Sequence, residues 1–151
     1  MQFVKATKAK AKARVTFIGP SGSGKTYSSL RMAHALAGDK GRIAFIDSER
    51  GSASKYADEF DFDVLELDSY SPEVYAEAIH DAEAAGYAVI VIDSLTHAWS
   101  GKDGALEQVD KVKDRSHTKD GFAAWRSVTP MHNALVDAMI GSSCHVIATL
   151  R

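Results

Sequence analysis

Cysteine is nearly missing from this chain of 151 residues, where Cys144 stands alone. A single thiol excludes an intrachain disulfide and a cysteine-rich metal site. It suits a reducing compartment and reads as a small buried hydrophobe. Acids are missing from the beginning: none of the 20 Asp and Glu residues precedes Asp39, whereas seven of the 18 Lys and Arg residues do. Long apolar runs are missing too. Nothing approaches the ~20 residues that cross a bilayer, which predicts no membrane partner. The opening MQFVKATKAKAKARV is charged where a signal peptide is apolar, which points to the cytoplasm. The six histidines lack H-x₃-H and H-E-x-x-H spacing, which argues against catalytic zinc. Repeats and low-complexity linkers are absent as well. What remains is 45% hydrophobic and 25% charged, the composition of one α/β-sized domain with a real core. We read residues 1–13 as a basic arm and 14–151 as that domain. The arm is either an attractor of polyanions or a solvated leader before the first strand.

Short β-branched or aromatic runs mark strands at Arg14–Ile18, Arg42–Asp47, Asp63–Leu67, Tyr87–Asp93 and Cys144–Leu150. Asp63–Leu67 alternates like a half-exposed edge strand, and Tyr87–Asp93 is apolar throughout, like a strand covered on both faces. Helices are predicted between them. Gly24–Ala37 has Leu30, Ala33 and Leu36 at helical spacing and stops at Gly38. Pro72–Ala85 follows a Ser71 cap. Residues 104–116 form a polar, exposed helix, and Phe122–Ile140 a helix that Thr129-Pro130 either kinks or restarts. Alternating strands and helices imply a mostly parallel sheet covered on both faces, with ligands at the carboxyl ends of its strands.

At the first such end stands Gly19-Pro20-Ser21-Gly22-Ser23-Gly24-Lys25-Thr26, a full G-x-x-x-x-G-K-[ST] P-loop, or Walker A motif, between a strand and a helix. The glycines let backbone N–H groups turn toward phosphate oxygens, and the helix N-terminus adds positive potential. Lys25 then reaches the β- and γ-phosphates of ATP, and Thr26 ligates Mg²⁺. An ordinary Gly-Ser turn with an exposed lysine would not need the flanking strand and helix. Tyr87–Asp93 ends in an acid followed by Ser94, the Walker B pattern, so Asp93 is the second Mg²⁺ residue. Alone, such an acid could equally cap the next helix. Past the second strand, Glu49 is placed to accept a proton from the water attacking the γ-phosphate. Asp47, the competing acid, sits nearer the strand end, where it could cap the turn or join the Mg²⁺ shell. Reach favours Glu49.

These stretches carry a resemblance. FIDSERG and VIDS resemble the ATPase core of RecA-like recombinases. The whole chain is similar to phage-encoded RecA-like ATP-binding proteins, some of which act in single-strand annealing. The matching stretches are F-V-K-A-T-K, K-A-R-V, GPSGSGKTYSSLR, IDSERGSASKYA, VIDSLTHAW, W-R-S-V-T-P-M-H and HVIATLR. The resemblance implies Lys25 and Thr26 on phosphate and Mg²⁺, Glu49 as base and Asp93 as the Mg²⁺ acid. It also implies a DNA-stimulated ATP hydrolase in the cytoplasm of a bacterial host. Its partners would be single-stranded DNA, a single-strand-binding protein and further copies of itself. RecA has a γ-phosphate-sensing Gln at the end of the last strand. Here Thr149, Leu150 and Arg151 stand there. Arg151 is either that sensor, a finger toward a neighbour's ATP, or an ordinary arginine. The implied strand order is 63–67, 43–47, 87–92, 144–150, 14–18, which leaves the P-loop strand as an open edge. That edge suggests a fragment whose C-terminal strands are missing.

Lesser signals stay open. Phe3-Val4-Lys5-Ala6 fits an F-x-x-A pattern for docking on a neighbouring subunit, against Phe3 tucking onto its own domain. Trp99, Trp125 and Tyr70 could stack on bases. Trp125 lies with Phe122 and Val128 at core spacing, and Trp99 lies in a loop with His97, Ser100, Gly101 and Lys102. Two rivals to the ATPase are an ATP-switched DNA-binding module without hydrolysis and a small-molecule kinase. The kinase would need an arginine-rich lid, and residues 101–126 offer only Arg115 and Arg126.

Overall fold

The computed structural model describes residues 2–5, 11–115 and 120–151. Lys8 and Lys10 of the basic arm, Ala6 of the F-x-x-A pattern and Ser116 at the end of the polar helix lie outside the described residues. The elements run β1 (Arg14–Ile18), α1 (Lys25–Ala37), β2 (Ile43–Asp47), a 3-10 turn (Ala53–Tyr56), β3 (Asp63–Glu66) and α2 (Pro72–Ala84). Then come β4 (Val89–Asp93), α3 (Thr96–Ser100), α4 (Ala105–Arg115), α5 (Gly121–Gly141) and β5 (His145–Leu150).

All described pairings are parallel, in the order β1-β5-β4-β2-β3, so the sheet is five-stranded and α/β in class. Central β4 explains its own apolar sequence. Val89 and Val91 face one layer with Leu30 and Ala33 of α1, Phe45 and Ile147. Ile90 and Ile92 face the other, with Tyr75 and Ile79 of α2 and Leu135 of α5. A strand with period-2 side chains and helices on both sides has no polar face to show. The register sets Asp47 opposite Asp93 at the carboxyl rim.

Local chemistry places the helix ends. Ser71 caps α2 by accepting from the Val74 amide, with Pro72 in the first turn. Asp120 accepts from the Phe122 amide at 2.9 Å and starts α5.

Several expectations need correction. α5 runs through Pro130 as one helix of 21 residues, without a restart. Thr129 does not cap; its hydroxyl donates back to the Trp125 carbonyl at 2.7 Å. Proline removes only one helical donor there, and burial of Ala124 and Val128 before it and of Leu135 and Ala138 after it holds the helix on both sides of the gap. Phe122 is exposed, because the side of α5 that meets α4 is carried by Ala124 and Val128. The polar helix α4 is not free: Ala105 and Val109 are buried against α5. In β3 the apolar Val64 and Leu65 are both exposed, so the strand is an edge without a buried face. Phe3 is fully exposed and does not tuck onto its own domain. Cys144 is buried, with its thiol on the Tyr87 carbonyl.

No helix among the described residues is long and apolar enough to cross a membrane.

Candidate nucleotide-binding site

Between β1 and α1 the chain must turn sharply, and Gly22 and Gly24 do so at φ +77° and +82°, a region costly for any side chain. Gly24 is also the N-cap of α1, with no side-chain acceptor and no acid in the first turn. Among the described residues no side chain caps the leading amides of α1, which leaves them for an anion. Lys25 lies folded on the loop, its Nζ donating to the Gly19 and Pro20 carbonyls at 2.8 Å each. Ser23 closes the turn by donating its amide to the Pro20 carbonyl at 3.3 Å.

The rim supplies the acids. Thr26 donates its hydroxyl to Asp93 Oδ2 at 2.5 Å, and Thr149 donates to Asp93 Oδ1. Asp93 and Thr149 are both buried, so this pair of hydroxyls fixes the carboxylate in place. Asp47 is spent on its own turn: Oδ1 accepts from the Glu49 amide at 2.6 Å and Oδ2 from the Gly51 amide at 2.9 Å. Burial pushes the Asp47 carboxyl up, against the opposing pull of those amides.

A cavity of about 290 Å³ joins these parts, lined by Ser21, Gly22, Gly24, Lys25, Thr26, Glu49, Ser52, Lys55, Tyr56, Asp93 and Arg151. Thr149 stays behind Asp93, whereas Glu49 and Arg151 meet at the cavity wall as an ion pair. Ser52, Lys55 and Tyr56 received no role in the sequence reading. They enter through the 3-10 turn Ala53–Tyr56, whose only advance signal was its place in IDSERGSASKYA. The Ser52 hydroxyl is buried at this wall without a partner among the described residues.

The residues present fit a phosphate chain and a divalent cation. The cradle has free amides and a lysine, and a hydroxyl stands against a buried carboxylate, the oxygen set that hard cations take. A family model described as AAA domain matches residues 11–151. The chain belongs to the AAA domain family. This AAA domain is thus an ATP-binding domain of the P-loop NTPase kind, which agrees with its parallel sheet and cradle. No curated protein matches the chain.

Proposed function

We propose that this AAA domain is a Mg²⁺-dependent ATP hydrolase of RecA-like type that acts on single-stranded DNA in phage recombination or strand annealing. One observation carries the hydrolase reading: Lys25, the Thr26–Asp93 pair and Glu49 converge on a single cavity. The recombination role is supported by the stretches FIDSERG, VIDSLTHAW and HVIATLR, which resemble that group. Homo-oligomer formation belongs to the same reading. Among the described residues β1 pairs on one side, with β5, and Ile18 at its end is exposed. A single-strand-binding protein would be a further partner, and a bacterial host's cytoplasm the setting.

In this reading the amides of Ser21–Thr26 take the phosphates, and Lys25 leaves its loop carbonyls for the β- and γ-oxygens. Thr26 and Asp93 would hold Mg²⁺, which supplies neutralisation of the phosphate charge. Glu49 accepts a proton from the attacking water as its oxygen bonds to the γ-phosphorus and the bond to ADP breaks. Arg151 exchanges Glu49 for the γ-phosphate and so acts as its sensor.

The Glu49–Arg151 ion pair also favours a second reading, an ATP-switched DNA-binding module in which Glu49 stays neutralised and nothing is hydrolysed. Phosphate release with and without single-stranded DNA separates the two. Hydrolysis predicts turnover that rises with DNA and falls about a hundredfold or more in Lys25→Ala. ATP and DNA binding without phosphate release would establish the switch instead. Equal turnover in Lys25→Ala would remove the site.

A further inference from the structure

A polar chain approaches Glu49 from the side away from the P-loop. Ser48 Oγ, buried, accepts from the Ser94 amide at 2.9 Å and lies 2.8 Å from His97 Nδ1. His97 stands in the first turn of α3, and its Nε2 is 4.0 Å from Glu49 Oε1. The ring stacks on Tyr70 with centroids 5.1 Å apart and planes 28° from parallel, which fixes its plane. Glu49 Oε2 is the oxygen that Arg151 takes.

Nε2 faces Glu49, and hydrogen accounting decides whether it carries a proton. The Ser94 carbonyl accepts from the Tyr75 hydroxyl at 3.1 Å, and it is also 3.0 Å from Ser48 Oγ. Burial pushes the Tyr75 phenol up, so that hydrogen stays in place. With the carbonyl already served, Ser48 can give its one hydrogen to His97 Nδ1. The neutral ring then carries its proton on Nε2. If Ser48 donates to Ser94 instead, Nδ1 must be the donor to Ser48. A neutral ring would then set a bare Nε2 lone pair against a carboxylate, and only the imidazolium avoids that. Both favourable states put an Nε2–H toward Glu49.

We propose that His97 is a positioning residue for Glu49, holding the carboxylate by its Nε2–H when Arg151 turns to the triphosphate. This rests on the reading of Glu49 as the base. At 4.0 Å the contact is electrostatic rather than a hydrogen bond, and such contacts in nucleotide-free sites shorten in the reactive complex. Ser48 partners Nδ1, Tyr70 sets the ring plane, and Tyr75 serves the Ser94 carbonyl, which leaves the Ser48 hydrogen free for Nδ1.

Two measurements test it. Nitrogen-15 NMR of the imidazole in the nucleotide-free wild type should show His97 protonated at Nε2, alone or as imidazolium. A neutral ring protonated at Nδ1 overturns the proposal. In turnover assays His97→Asn keeps an Nδ1-like group for Ser48 but loses the reach to Glu49. It should lower kcat about tenfold or more with nucleotide affinity and melting temperature near wild type. His97→Gln, whose amide reaches the Nε2 position, should exceed His97→Asn severalfold. Wild-type kcat in His97→Asn, beside a Glu49→Gln that abolishes turnover, overturns the positioning role alone. Wild-type turnover in Glu49→Gln removes the base itself and the His97 role with it.

Discussion

Glu49 lies between two nitrogen-bearing side chains, paired with Arg151 through Oε2 and 4.0 Å from His97 Nε2 at Oε1. Arg151 lines the same cavity as Lys25 and Thr26, and in the proposed reading a bound γ-phosphate would compete with Glu49 for its guanidinium. Arg151→Ala should therefore weaken MgATP about tenfold or more and leave MgADP within about twofold. A charge-assisted hydrogen bond contributes about 1.5–3 kcal/mol, and ~1.4 kcal/mol is a tenfold change. Competitive titrations of both nucleotides read this directly, and an equal loss for the two would deny Arg151 its sensor role. At this scale the P-loop was legible, because glycine spacing, Lys25 and Thr26 state a backbone geometry outright. Asp93 was legible only beside it. Asp47 is buried under the Glu49–Gly51 turn, while Glu49 lines the cavity, which supports proposing Glu49 rather than Asp47 as the base. Ser52, Lys55 and Tyr56 were not legible, since a short 3-10 turn has no periodicity to announce which side chains it points inward.

Among the elements, β5 is fastened at its first residue. His145 Nδ1 accepts the Ala13 amide at 2.9 Å, where the chain enters β1. Burial, then the nearby Lys12 and Arg14, hold the His145 pKa below its ordinary value of 6.5. A folded-state value below the unfolded one stabilises the fold above pH 6.5, and that contribution is lost as pH falls through the folded value. The protonated ring also has no acceptor for Ala13. Melting temperature should thus drop between about pH 7 and pH 5, and His145→Asn should make that drop smaller. An unchanged drop in the variant would show that His145 has no part in it. Strand and helix existence was legible from periodicity and caps such as Ser71, except for α3: Thr96–Ser100, expected as a loop around Trp99, is one short helix whose five residues are too few to show a period. Pro130 misled because a local donor loss was weighed without the burial of Leu135 and Ala138, which lie beyond it. α4 misled because two small apolar residues, Ala105 and Val109, suffice to dock a helix whose other faces are charged.

Over the whole molecule, parallel pairing brings the ends of β1, β2, β4 and β5 to one rim. That rim assembles groups far apart in sequence: Lys25 and Thr26 after β1, Glu49 after β2, Asp93 ending β4 and Arg151 after β5. The strand order came from resemblance rather than from residue patterns, since alternation of strands and helices leaves several orders open. Its agreement with β1-β5-β4-β2-β3 is what turns separate motifs into one cavity. The most direct measurement is calorimetric titration of MgATP into wild type and Lys25→Ala. A phosphate cradle at Gly19–Thr26 predicts saturable wild-type binding with a Kd below about a millimolar, weakened at least about tenfold in the variant. No binding heat in wild type at millimolar MgATP, or equal affinity in the two proteins, would contradict it.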